Sequence, residues 1–66
     1  MQAEPLFADA LPSVYGDPRA VEVWPSSAGY VRVILHRKGK IVHTARIPGT
    51  VRDALQYAKT YFEKRD

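Results

Sequence analysis

The chain has 66 residues, with ten Lys or Arg, seven Asp or Glu and no cysteine, and its formal net charge is +3. A chain of this length forms one small domain with a thin core, so we expect neither an enclosed catalytic cleft nor enzymatic activity. The lack of cysteine excludes a disulfide framework and a thiolate metal site.

The charge is unevenly distributed along the chain. Residues 1–22 contain four acids and one arginine, whereas residues 23–66 contain nine Lys or Arg and three acids. A basic segment of this kind favours an anionic partner, or an acidic N-terminal segment that folds back on it. No apolar run reaches the ~20 residues of a membrane-spanning helix, and no secretory signal is recognisable at the start. We therefore expect a cytoplasmic protein with no membrane partner.

Residues 1–19 are predicted to be an irregular or partly helical N-terminal arm. Four residues that interrupt helices and strands lie in it: Pro5, Pro12, Gly16 and Pro18. A short helical turn that begins at Pro5 and runs to Leu11 is one form it can take. Several apolar side chains of the arm favour burial under the domain or a partner: Leu6, Phe7, Leu11 and Tyr15.

Residues 20–66 are predicted to form an α+β domain, a three-stranded antiparallel meander packed on one C-terminal amphipathic helix (βββα). Apolar and polar residues alternate over residues 20–24, 30–36 and 41–47, which is typical of half-buried strands. A loop over 25–29 connects the first two strands, and a three-residue turn over 37–39 connects the others, with Gly39 in the left-handed conformation.

A pairing register follows from keeping the two sheet faces chemically distinct. The three-residue turn places Leu35 opposite Ile41 and Val33 opposite His43, and it collects the apolar residues on one face: Val31, Val33, Leu35, Ile41, Ala45 and Ile47. A two-residue turn at Lys38 and Gly39 mixes the faces instead, because a one-residue slip exchanges them. In the first hairpin we expect Trp24 opposite Tyr30 and Glu22 opposite Arg32, a favourable cross-strand charge pair.

The last part of the chain predicts a capped helix. Thr50 is a good N-cap, and Asp53 follows at the third helical position, where a carboxylate stabilises the helix N-terminus. Apolar residues then recur with helical period: Val51, Ala54, Leu55, Ala58, Tyr61 and Phe62. The free N–H groups after Gly49 also suit a phosphate, but we favour capping as the role of Thr50.

The sheet face that the helix leaves uncovered is predicted to carry any function. We expect the contact residues there to be Trp24, Tyr30, Arg32, His36, Arg37, Lys38, Lys40, Thr44 and Arg46. Nucleic acid is the favoured partner, with cations on phosphates and aromatic rings on bases or sugars. Two alternatives remain: the arm folds over this face, or the face binds a protein, including a second copy through the face or an edge strand.

The motifs on these elements resemble those of a known family. They are Gly29-Tyr30-Val31-Arg32-Val33, Lys38-Gly39-Lys40 and Thr50-Val51-Arg52-Asp53-Ala54. Together they resemble the N-terminal arm-type DNA-binding domain of phage-type tyrosine integrases, in which a three-stranded sheet backed by a helix binds DNA. The resemblance covers about half of the chain, and it implies DNA contact by Arg32, Thr44, Arg46 and the loop 38–40.

These 66 residues depart from the family pattern in two ways: we expect no recombinase catalytic domain, and the N-terminal arm is acidic and interrupted by prolines. A free-standing domain of this kind is also similar to phage accessory proteins that inhibit a host protein, such as anti-CRISPR proteins, which makes a protein-binding inhibitor or adaptor the alternative function. We expect no cofactor and no metal site, because His36 and His43 are predicted to lie on opposite faces. His43 is expected at the edge of the core, and no nucleophile and base pair is evident.

Overall fold

A computed structural model describes residues 4–11 and 18–65, residue 65 by its backbone alone. In chain order the elements are β1 (Phe7–Leu11), β2 (Arg19–Pro25), β3 (Tyr30–Arg37), β4 (Lys40–Pro48) and α1 (Val51–Arg65). The strands form one antiparallel sheet in the order β1-β2-β3-β4, and α1 packs on one face of it, mainly against β2 and β3. The predicted α+β class and C-terminal helix are confirmed, but the sheet has four strands where three were predicted.

The additional strand comes from the N-terminal arm. Phe7 lies opposite Val23 and Leu11 opposite Arg19, and both apolar side chains are half-buried against the core. The expected irregular or helical conformation is therefore wrong for residues 7–11. Pairing with the open edge of β2 satisfies the backbone groups of both strands, which a single helical turn does not achieve.

The described part of the N-terminal arm does not fold over the sheet face opposite the helix, which was one of the alternatives. Strand β1 extends the sheet at its edge and leaves the face opposite the helix uncovered by residues 4–11. Leu6, one of the side chains expected to cover that face, is 54% exposed. The corresponding expectation for Tyr15 lies outside the described residues.

The first predicted hairpin is correct in its faces and wrong in its partners. Strand β2 pairs with β3 so that Val23 lies opposite Val33 and Trp24 opposite Arg32. This register differs by two residues from the predicted one, and a shift of two keeps every side chain on its face. The expected pair of Glu22 with Arg32 is consequently absent, since Glu22 lies opposite Ile34.

The second hairpin uses a two-residue turn followed by a bulge. Lys38 and Gly39 both have positive φ, 54° and 78°, as the turn type that suits two-residue hairpins requires. His36 lies opposite Ile41 and Leu35 opposite His43, so Val42 is an additional residue in β4. The predicted three-residue turn is therefore wrong, and the bulge is what restores the separation of the two faces.

The bulge moves one predicted core residue to the surface. Ile41 pairs with His36, whose side chain lies on the face away from the helix, and Ile41 is 61% exposed. The remaining core prediction for this strand stands, because Ala45 lies opposite Val33 and Ile47 opposite Val31.

The core lies between the sheet and the helix. Its buried members are Val21, Val23, Val31, Val33, Leu35, Ala54, Ala58 and Phe62. Arg19 is also buried, and its guanidinium carbon lies 5.0 Å from the centre of the Phe62 ring. His43 is at the core edge as expected: its Nε2 lies 2.7 Å from the Tyr57 hydroxyl, and its ring stacks on Tyr61 at 4.6 Å.

The helix begins with the predicted cap. The Asp53 carboxylate accepts a hydrogen bond from the Thr50 backbone N–H at 2.8 Å and one from the Thr50 hydroxyl at 3.3 Å. Gly49, just before the cap, has a φ of +119°, and a Cβ there would lie 2.2 Å from Asp53 Oδ2. The close approach of the carboxylate to this backbone requires glycine at position 49.

Candidate functional site

The sheet face opposite the helix, called the distal face below, is the surface that the predicted site residues share. Strand pairing and alternation place these side chains on it: Ala8, Ala10, Ala20, Glu22, Trp24, Tyr30, Arg32, Ile34, His36, Ile41, Val42, Thr44 and Arg46. It is mixed in character, with aromatic, cationic and apolar members. An open antiparallel face is ordinarily more uniformly polar, so this composition indicates a binding surface.

One row of three side chains crosses the middle of the distal face. Trp24 on β2 lies opposite Arg32 on β3, and Arg32 lies opposite Arg46 on β4. Both arginines are exposed, and Trp24 is half-buried. The row places an indole and two guanidinium groups on neighbouring strands, whose backbones lie about 4.8 Å apart.

The two arginines of the row repel one another. Like charges directly opposite in an antiparallel pair destabilise the sheet by a few tenths to ~1 kcal/mol. Among the described residues no carboxylate lies within ion-pair distance of either guanidinium. The described part of the protein thus presents two adjacent positive charges on the distal face.

Tyr30 holds the outer arginine of the row in the free protein. The Arg46 guanidinium carbon lies 5.0 Å from the centre of the Tyr30 ring, a cation–π contact at the surface. Tyr30 itself is 41% exposed. The pair therefore presents a flat aromatic surface and a cation together at the end of the sheet where β3 begins.

Glu22 organises the next part of the distal face. Its carboxylate accepts a hydrogen bond from the Trp24 indole N–H at 3.1 Å, and its other oxygen contacts His36 Nε2. All three side chains are half-buried. The hydrogen bond sets the direction of the indole along β2, and the contact with His36 links β2 to β3 on this face.

A shallow depression of about 400 Å³ adjoins this cluster. Its small side chains are Ala8, Ala10 and Ala20, with Glu22, His36 and Gly39 around them. The depression exists because β1 adds two alanines to the distal face beside Ala20, and among residues 4–11 and 18–65 no large side chain fills the space above them. Its surface is mainly apolar and suits a flat ring better than a charged group.

The predicted residues of the hairpin tip are separated from the others. Arg37 lies opposite Arg19 and Lys40 opposite Arg37, which by alternation places all three on the side of the helix. Lys38 lies in the turn. The structure thus brings Trp24, Tyr30, Arg32, His36, Thr44 and Arg46 together on the distal face, while Lys40 changes sides because of the bulge at Val42.

Two features of the site, the alanine depression and the contacts of Glu22, were not predicted from the sequence. The alanine depression depends on β1, whose signal was the alternation of Phe7, Asp9 and Leu11 with two alanines. The contacts of Glu22 with Trp24 and His36 depend on the register of β2, in which a shift of two residues changes every cross-strand neighbour.

Comparisons with protein families, curated proteins and solved structures find no match to this chain. Within residues 4–11 and 18–65, no three His, Asp or Glu side chains are grouped so that they can hold a metal ion. No helix in this part of the chain has the length and apolar character needed to cross a membrane.

Proposed function

We propose that this chain is a small, non-enzymatic nucleic-acid-binding module that acts through its distal face. The observation that carries the proposal is the row Trp24–Arg32–Arg46, in which two opposed guanidinium groups lack a carboxylate partner among the described residues. The resemblance to the integrase arm-type domain, which also binds DNA through a sheet, supports the same function.

The mechanism is charge neutralisation combined with ring contact. Arg32 and Arg46 neutralise phosphates, which removes their mutual repulsion, and Trp24 and Tyr30 contact bases or sugars beside them. Thr44 and His36 lie on the same face and supply further hydrogen-bonding groups. Lys38 at the hairpin tip adds a phosphate contact at the periphery, whereas Arg37 and Lys40 lie on the side of the helix and are left out of the proposed site.

A double variant, Arg32→Ala with Arg46→Ala, tests the proposal. We expect a large loss of affinity for a labelled oligonucleotide in fluorescence anisotropy. The slope of log K against log salt should also become shallower by about 1.4 to 1.8, because two phosphate contacts are lost.

The matched control is Arg52→Ala with Lys59→Ala, which removes two exposed cations of α1 and leaves the distal face intact. Both double variants lower the net charge by two. If only overall charge matters, they therefore lose the same amount of affinity for the oligonucleotide. Equal affinity of the distal-face variant and the unmodified protein contradicts the proposal.

A protein partner is the second candidate, and a separate observation favours it. Ile41 and Val42 are 61% and 43% exposed at the bulge of the edge strand β4, next to His36. Exposed aliphatic side chains on an open sheet edge are suited to contact with another protein or with a second copy of this chain. In the first case this chain acts as a protein-binding inhibitor or adaptor. This protein-binding mode predicts that binding of the partner protein is insensitive to salt and is lost in the Ile41→Ser variant.

A further inference from the structure

We infer that the nucleic acid bound by the distal face is single-stranded. The inference deepens the proposed function and rests on it. Three features of the structure support it: the width of the sheet, the geometry of its aromatic side chains, and the depression beside Glu22.

The sheet is too wide to enter the groove of a duplex. With four strands, the backbones of β1 and β4 lie about 14 Å apart, before any side chain is added. The major groove is about 12 Å wide and accommodates an α-helix or a two-stranded ribbon. Strand β1 pairs with β2 from Arg19 to Val23, the residue next to Trp24, so the fourth strand lies directly beside the row and obstructs its descent to the base edges of a duplex.

The aromatic side chains suit bases that are already unpaired. Trp24 is held in direction by its hydrogen bond to Glu22, and Tyr30 is exposed under the guanidinium of Arg46. Rings interleaved with cations on a flat surface are the pattern by which proteins stack the bases and neutralise the phosphates of single strands. In a duplex the base faces are covered by their neighbours, so these rings have nothing to stack on.

The depression provides a place for a base beyond the row. It is open on the distal face, its volume of about 400 Å³ lies in the range of small-molecule sites, and its alanine surface is flat and apolar. Glu22 and His36 at its side are polar groups that can accept or donate hydrogen bonds to a base edge. A base reaches this position only when it is free of a complementary strand.

The test compares three probes of about twelve nucleotides with the unmodified protein. They are labelled oligothymidylate, a duplex of the same length, and an abasic strand with the same number of phosphates. We expect oligothymidylate to bind at least ~10-fold more tightly than the abasic strand, because stacking on one ring has about that effect. We also expect it to bind more tightly than the duplex, and to change the emission of Trp24, the only tryptophan.

Three variants locate the effect on this face. Trp24→Leu should remove the preference for thymidylate over the abasic strand, whereas Trp24→Phe should retain most of it. Ala10→Leu, which fills the depression, should weaken binding of oligothymidylate and leave binding of the abasic strand unchanged. Far-ultraviolet circular dichroism identifies any variant that fails to fold, and if Trp24→Leu is one of them, Ala10→Leu provides the decisive comparison.

The outcomes separate the inference from the proposed function. Tighter binding of the duplex, or equal binding of the thymidylate and abasic strands, overturns the single-strand inference and leaves nucleic-acid binding intact. Binding to none of the three probes at low salt overturns both. Preference for oligothymidylate that depends on Trp24 supports both.

Discussion

Arg32 and Arg46 lie directly opposite one another on the middle and edge strands of an otherwise well-segregated sheet. Their juxtaposition lowers the stability of the free protein, and nothing in the fold requires it, because both side chains are exposed. Selection for stability alone favours opposite charges at these two positions, whereas the proposed binding role favours two arginines. The two requirements can therefore be separated by substitution.

Replacing Arg32 by glutamate should stabilise the fold and abolish nucleic-acid binding. The introduced carboxylate forms an attractive cross-strand pair with Arg46 in place of a repulsive one, worth about 0.5 to 1 kcal/mol in the free energy of unfolding. Urea denaturation measures the gain, and anisotropy measures the loss. Arg32→Gln, which removes the repulsion without adding attraction, should fall between the two proteins in stability, and a destabilised Arg32→Glu variant contradicts the argument.

Replacing Lys38 in the hairpin turn by asparagine should stabilise the fold. Lys38 adopts a φ of 54°, a conformation that costs an ordinary side chain about 1 kcal/mol and that asparagine adopts more readily. We expect Lys38→Asn to raise the free energy of unfolding by a substantial part of that cost. If Lys38 also contacts a phosphate, the same variant reduces the salt dependence of binding by about one contact. An unchanged or lower melting temperature excludes turn strain at this position.

Gly49→Ala should be severely destabilising, by about 3 kcal/mol. The new Cβ meets the Asp53 carboxylate at 2.2 Å in a backbone conformation with φ of +119°, so the cap must break as well. Gly29→Ala is the control, since Gly29 also has positive φ but no atom lies within 4 Å of the position that a Cβ would take there. It should cost about 1 kcal/mol.

The same contact can be examined by a double-mutant cycle. In an Asp53→Ala background the clash is absent and the cap is already lost, so Gly49→Ala should cost less than it does in the unmodified protein. Additive costs in the cycle show that Gly49 and Asp53 do not depend on each other.

Tyr57→Phe should lower stability by about 1 kcal/mol. It removes the hydroxyl that lies 2.7 Å from His43 Nε2 while keeping the ring and its stacking. The same substitution in a His43→Phe background should have almost no effect, because the hydrogen bond is already absent there. Thermal unfolding of the four proteins measures the coupling, and equal costs in both backgrounds exclude it.

Local patterns in the sequence were sufficient for much of this fold. The period of two in β2 and β3 and the helical period in α1 identify the buried faces, because each depends only on neighbours along the chain. The Thr50–Asp53 cap is likewise a contact between residues three apart. Six of the predicted contact residues share the distal face for the same reason, from Trp24 to Arg46.

Strand β1 carried only a weak local signal, the alternation of Phe7, Asp9 and Leu11 with two alanines. It has five residues bounded by proline-rich segments, and its two half-buried side chains, Phe7 and Leu11, acquire their role only against β2 and the helix. A short isolated strand has no stability of its own. The alanine depression and the width of the sheet, on which the inferred preference for single strands rests, both follow from that single pairing.

By itself, then, the sequence determined which faces of the strands and helix are apolar and how the helix begins, because periodicity and capping are local. The tertiary structure decided which residues lie opposite one another on neighbouring strands. A two-residue shift in β2 leaves the faces unchanged, and a turn with a bulge at Val42 competes closely with a longer turn, so local energies do not discriminate between the registers. Packing of the whole sheet against α1 selects one of them. That selection brings Trp24, Arg32 and Arg46 into one row.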